Sequence, residues 1–204
     1  MATSVTTHQA LAIMVALTLI SIVSSVPASR RPVPANRNLR YIMSSCRVTQ
    51  YPLVCYRSLS LYSQRIKTSP NVLIHTALTV TQGAAMSASK TMRRAARLRG
   101  LRPREASAIG DCVDVVGDSV YELSRSVGEM GRLVRAGLRM NGRDFNNIQT
   151  WVSSALTDAF TCMDGLDESK MRVHVKAVVT RHMVKVSRLE SNILALVNMY
   201  ATGV

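Results

Sequence analysis

Residues 109–130 read IGDCVDVVGDSVYELSRSVGEM, and within them Ile109, Cys112, Val113, Val116, Val120, Leu123, Val127 and Met130 recur at spacings of three and four. That period follows the turn of an α-helix and lines these side chains along one apolar stripe. Polar residues take the rest of the surface, with Asp114, Asp118 and Glu122 four apart on a face off the stripe. A stripe sustained over this length fits a helix packed among other helices.

Outward from this stretch the same period returns three times, and strand signals are scarce. Upstream, Ser69 as N-cap and Pro70 at the first helical position predict a helix running to about Leu98, before Gly100. Its expected inward stripe is small: Leu73, Ala77, Val80, Ala84, Ser87, Thr91, Ala95 and Leu98. Downstream, a helix from about Phe145 to Leu166 carries Ile148, Trp151, Val152, Ala155, Ala159, Cys162 and Met163, with Asp144 as the expected N-cap. A last helix, from about Glu168 to Tyr200, repeats the stripe through Met171, Val175, Val178, His182, Val186, Leu189, Ile193 and Leu196. Four long amphipathic helices with short connections predict an all-α fold, an antiparallel four-helix bundle.

The chain opens with an address label. Leu11 to Val23 is almost wholly apolar but short for a bilayer span, and Val26-Pro27-Ala28 supplies small residues of the kind signal peptidase accepts. Residues 1–28 are therefore expected to be a cleaved secretory signal, the competing reading being an N-terminal anchor. Residues 29–37, SRRPVPANR, read as an extended basic linker, and residues 38–204 as the folded domain.

Export to an oxidising compartment makes disulfides the default for the four cysteines, Cys46, Cys55, Cys112 and Cys162. The close ligand pairs of a structural zinc site are absent from the sequence, and His75, His174 and His182 are scattered. In antiparallel neighbours, a bridge from Cys112 to Cys162 needs both at one height above the connecting loop. A helix ending near Leu138 would leave Cys112 about ten Å too high at ~1.5 Å per residue. A break near Gly131 nearly equalises the heights, so GRLVRAGLRMNGRD is expected to be a basic, glycine-punctuated loop. Cys46 and Cys55 then close a tight turn around Tyr51-Pro52. Tyr41, Ile42, Leu53, Leu59 and Leu61 give its flanks apolar faces, so a stapled helical hairpin over about 38–67 leads into the bundle.

The net charge of +14 is lopsided: no Asp or Glu precedes Glu105, while fifteen of the 26 Lys and Arg lie at or before Arg104. Lys90, Arg93, Arg94 and Arg97 fall on one helix face. For a secreted protein this face points to an anionic polymer, such as an acidic polysaccharide, while few aromatics accompany it to stack on bases. A solvated face that serves the helix dipole needs no partner and remains an alternative. The sequence contains no nucleophile elbow, phosphate loop or paired-carboxylate pattern. A secreted helical bundle without catalytic groups or cofactor motifs is most economically a binding protein.

YIMSSCRVTQYPLVCYRSLSLYS resembles the opening of the plant invertase and pectin methylesterase inhibitor family, a Cys, a Thr-x-Tyr-Pro and a Leu-x-Cys. IGDCVDVVGDSVYELSRSVGEM is similar to its third-cysteine helix, TWVSSALTDAFTCMDGL to its fourth-cysteine helix and LESNILALVNMYA to its closing helix. The resemblance implies bridges Cys46–Cys55 and Cys112–Cys162 and stoichiometric, non-covalent inhibition of a cell-wall enzyme by a bundle face that covers its substrate cleft. The Trp-Val-Ser-Ser-Ala-Leu-Thr-Asp run and the Tyr-Pro before Cys55 look more like the pectin methylesterase branch. Acid invertase is the alternative target, and a wall-binding structural role on acidic pectin the alternative of another class. Positions matching the family's target contacts are Asp114, Asp118, Glu122 and Thr161, each also readable as a solvated helix residue. Tyr121 stands where an acidic residue is frequent, and Phe160 where a smaller one is usual beside Cys162. Related chains precede pectin methylesterases as pro-regions, whereas this one stops at Val204 and is expected to act alone, in the apoplast.

Overall fold

The computed structural model describes residues 37–201, so the expected signal segment and all of the expected linker except Arg37 lie outside them. Arg37 itself is helical. Among the described residues the elements are α1 (Arg37–Cys46), α2 (Pro52–Leu59), a 3₁₀ turn (Ser60–Tyr62), α3 (Ser63–Ile66), α4 (Pro70–Ala95), α5 (Pro103–Ala136), α6 (Gly142–Glu168) and α7 (Val173–Ala201). The short elements α1 to α3 form the hairpin; α4 to α7 are the bundle. Cys46 bonds Cys55 with Cα atoms 5.6 Å apart, and Cys112 bonds Cys162 at 4.7 Å.

Local chemistry sets most helix ends. Ser69 Oγ accepts the Val72 N–H at the head of α4, ahead of Pro70. Asn141, not Asp144, caps α6: its side-chain oxygen accepts the N–H of Arg143 and of Asp144. Asp144 sits three positions further on, and its carboxylate accepts the Asn141 N–H in return. The pair is a reciprocal capping box, which makes the upstream member the cap.

The expected break at Gly131 does not occur. α5 runs on to Ala136, with Met130, Gly131 and Leu133 buried, and stops at Gly137 in the left-handed conformation at φ 65°. The Leu138 N–H reaches the Leu133 carbonyl at 3.0 Å, and the Gly137 N–H that of Val134 at 3.3 Å, the Schellman pattern. Gly131 is a close-approach residue: a Cβ there would lie 3.2 Å from His75 Nε2. Bridge geometry survives because Arg132 bonds Asp144 at 3.1 Å, so α6 starts beside the last turn of α5. α5 overshoots, and the loop 137–141 comes back.

Two stripes are rotated from expectation. On α4, Leu73, Ala77 and Ala95 are buried, but Val80, Ala84 and Thr91 are half-buried, and Ser87 and Leu98 exposed. The inward face runs through Ile74, Leu78, Thr81, Ala85, Ala88 and Met92, because the larger apolar side chains decide which face goes inside. On α7, Glu168 belongs to the end of α6, and the chain turns through Lys170 at φ 51° before the helix begins at Val173. Met171 is buried ahead of that start. Val179, Met183, Val186, Glu190, Ile193 and Val197 form the buried stripe, with Leu189 and Leu196 beside it, while Val175, Val178 and His182 are half-buried.

Buried carboxylates close both ends of the bundle. Glu105, in the first turn of α5, accepts the Arg102 N–H and guanidinium and the Arg172 N–H, each at 2.9 Å. The Arg102 side chain and the two backbone N–H groups hold its carboxyl down at about 2. At the other end Asp144 joins Asn141 and Arg132.

Hairpin and bundle share one buried cluster, which includes Ile42, Leu59 and Ile66. Asn192 of α7 clasps the Tyr51 backbone, accepting its N–H at 2.9 Å and donating to its carbonyl at 3.1 Å. The Arg188 guanidinium lies 5.3 Å over the Tyr51 ring, and Ser191 donates to Gln50. The Tyr41 and Tyr200 hydroxyls hydrogen-bond each other. Within this chain the stapled loop braces its own bundle.

Candidate functional site

α5 and α6 carry the surface that holds the four expected target-contact residues, Asp114, Asp118, Glu122 and Thr161. Their register is fixed by Cys112–Cys162 and, further along, by Arg125, whose guanidinium stacks 4.3 Å from the Trp151 ring. In this antiparallel register Asp114 stands across from Thr161 and Asp118 across from Asp158. Asp114, Asp118 and Thr161 are exposed, while Glu122 is half-buried. Thr161 Oγ1 donates to the Thr157 carbonyl at 3.0 Å, which leaves its lone pairs facing outward for a partner's donor.

Arg125 is gripped from three sides. Besides Trp151 it lies 5.8 Å from the Tyr121 ring and forms an ion pair with Glu122 at 3.7 Å. The pair is partly exposed and contributes little alone; its effect is to hold Tyr121 and Trp151 at fixed places on either side. Tyr121 is 63 % exposed beside the acidic face, whereas Phe160, 50 % exposed, turns to the other flank of α6 and lines a groove with Tyr51, Leu156 and Arg188.

Beneath this face sit two carboxylates that helical spacing alone did not bring forward. Burial, then the charges of Asp118 and Glu122, push Asp158 up to about 6. Deeper, Glu190 is wholly enclosed, and burial pushes it up to about 8 against a 3.3 Å hydrogen bond from Ser119. The signal for Asp158 was its place one turn before Cys162, hence on the side of α6 that faces α5. Glu190 occupies a seam position between Val186 and Ile193.

The expected basic residues gather elsewhere. Lys90, Arg93 and Arg94 from the end of α4 and Arg97 from the turn after it line one groove of about 440 Å³, with Met86, Ser89 and Val120. The groove lies on the α4 flank of α5, away from the flank that meets α6. The α5–α6 face offers acceptors and the exposed Tyr121 ring and the α4–α5 groove offers cations, chemistry suited to recognition rather than bond making.

A model of the plant invertase/pectin methylesterase inhibitor family matches residues 40–196. The chain is 42 % identical to Pectinesterase inhibitor 10 of Arabidopsis thaliana over 81 % of its own length, spanning about half (52 %) of that relative. It is also 42 % identical to the 21 kDa protein of Daucus carota, with 85 % of this chain and 89 % of that one covered. Among solved structures it resembles the crystal structure of mutant form A of a pectin methylesterase inhibitor from Arabidopsis. That likeness has a TM-score of 0.62 at 23 % identity, covering 77 % of this chain and 95 % of that one, and concerns the fold.

Proposed function

Since the chain belongs to the plant invertase/pectin methylesterase inhibitor family, we propose that it is a secreted, non-catalytic inhibitor of a cell-wall pectin methylesterase. It binds the enzyme non-covalently, one to one, and lays the α5–α6 face across the substrate cleft, limiting demethylesterification of pectin. Asp114, Asp118, Glu122 and Thr161 supply acceptors to the target, and Tyr121 adds apolar contact. The observation that carries this reading is the combination of those acceptors with the exposed Tyr121 ring on a face pinned by a disulfide and the Arg125 clasp. Rigid aromatic and arginine anchors concentrate binding energy, and a surface ordered beforehand loses little entropy on docking. The apolar run at Leu11–Val23 supports export to the apoplast, and among the described residues no helix is long and apolar enough to cross a membrane.

Titrating a purified pectin methylesterase at mildly acidic pH tests the proposal. Activity is expected to fall linearly to an end point near one equivalent, and Asp118→Arg to weaken inhibition by ten-fold or more, about 1.4 kcal/mol. Undiminished esterase activity at excess protein sinks the reading. The same titration against acid invertase decides between the family's two target classes.

A further inference from the structure

We infer that the groove between α4 and α5 is a binding site for a run of carboxylates on an acidic polysaccharide, a de-esterified polyuronate. The inhibitory reading supplies the source of that polymer, because a pectin methylesterase leaves one carboxylate behind for every ester it cleaves.

Lys90, Arg93, Arg94 and Arg97 converge on one concavity, although only the helix end calls for positive charge there. Like charges so close repel, and a dipole is served by one or two of them. At the bundle ends cations are paired: Arg102 and Arg172 close on Glu105, and Arg132 on Asp144. Among the described residues no carboxylate comes within ion-pair distance of the four in the groove. A ligand that supplies several negative charges relieves this repulsion.

The lining chooses among polyanions. Three of the four cations are arginines, whose planar forks match carboxylates two bonds at a time. Between them lie Met86, Ser89 and Val120, an apolar and hydroxyl floor that suits the C–H faces and hydroxyls of a sugar. No aromatic ring lines the groove, so nucleobases find nothing to stack on. Its position leaves the α5–α6 face free, so the protein can hold the polymer and a target enzyme at once.

Calorimetric titration of the full chain with a de-esterified oligouronate is the test. Arg93→Gln/Arg97→Gln is expected to weaken binding about tenfold. Arg139→Gln/Arg143→Gln, with the same loss of charge at exposed positions outside the groove, is expected to change it about twofold or less. Added salt should weaken the wild type. No binding by the wild type, equal loss in both variants, equal binding of the fully methylesterified oligomer, or tighter binding of single-stranded DNA of matched charge would overturn the inference. Esterase inhibition measured on a small soluble ester should survive Arg93→Gln/Arg97→Gln, and its loss would overturn the separation of the two surfaces. A wild type that binds the oligouronate but inhibits no esterase leaves the groove standing and removes the inhibitory reading.

Discussion

The hairpin and the bundle each carry one disulfide, yet the two bridges join unlike things. Cys112–Cys162 ties two long helices that already share a continuous apolar seam, across 50 residues of sequence. Cys46–Cys55 closes a loop of 9 around short helices whose buried residues, Ile42, Leu59 and Ile66, belong to the bundle's own cluster. The long-loop bridge acts on the whole unfolded chain and on the register of the proposed target face. The short-loop bridge shapes an appendage that the bundle then grips. Stability and function therefore depend on the first more than on the second.

Removing each bridge tests the contrast. Cys112→Ala/Cys162→Ala should lower unfolding free energy by about 4 kcal/mol on the chain-entropy scale, read from denaturant midpoints, and weaken inhibition with it. A loss below about 1 kcal/mol would mean that the seam holds the register unaided. Glu190 tests the bundle's interior. Its protonated form suits the folded core, while in the unfolded chain it ionises near 4.5, against about 8 when folded. As pH rises from 5 to 8 the unfolded form loses its proton first, so stability falls, by roughly 3 kcal/mol in all. Glu190→Gln should flatten that slope, and an unchanged slope would clear Glu190 of responsibility. Glu105 acts at the other limit: its carboxyl is held down at about 2, and its contribution fades only as pH drops from about 4.5 toward that value.

How much of this was legible follows from which interactions are local. Four helices and their antiparallel order can be read from periodicity, because each helix carries its own stripe, while both bridges are legible from the cysteine context that resembles the family. Helix ends were less legible. Gly131 and Gly137 look alike in sequence, and only packing shows that one admits the His75 ring while the other adopts the left-handed turn. Glu190 escaped because a charged residue in a seam is ordinarily assigned to the surface, which moved the stripe of α7 one residue toward Leu189. Asp114, Asp118 and Glu122 were legible as a face, but Asp158 answers to them across two helices, and no spacing within α5 reports that. The four basic residues were legible as a helix face; that Val120 of the next helix completes their groove was not.

Cys46→Ala/Cys55→Ala should cost about 2.5 kcal/mol. Its signature is expected to be local: protease cleavage within residues 47–51 before the bundle opens, with esterase inhibition largely kept. A loss of inhibition matching that of the other bridge variant would mean that the hairpin also holds the target.

The smallest effect probes how the bundle grips the loop. Asn192 is buried and satisfies both the N–H and the carbonyl of Tyr51, the residue just ahead of Pro52 at the head of α2. Asn192→Ala leaves the Tyr51 N–H without its partner, while the carbonyl keeps the Cys55 N–H at 3.0 Å; the cost is about 1–2 kcal/mol, and hydrogen exchange at the Tyr51 amide should speed up while α4 to α6 are spared. Asn192→Asp separates the two bonds. An ionised carboxylate still accepts the Tyr51 N–H but faces the Tyr51 carbonyl with no proton to give, so this variant should lose more than Asn192→Ala at neutral pH. It should recover as acidification protonates it and restores a donor. If Asn192→Asp shows no such recovery, the grip rests on the Arg188–Tyr51 stack and the shared apolar cluster instead of on the Asn192 pair.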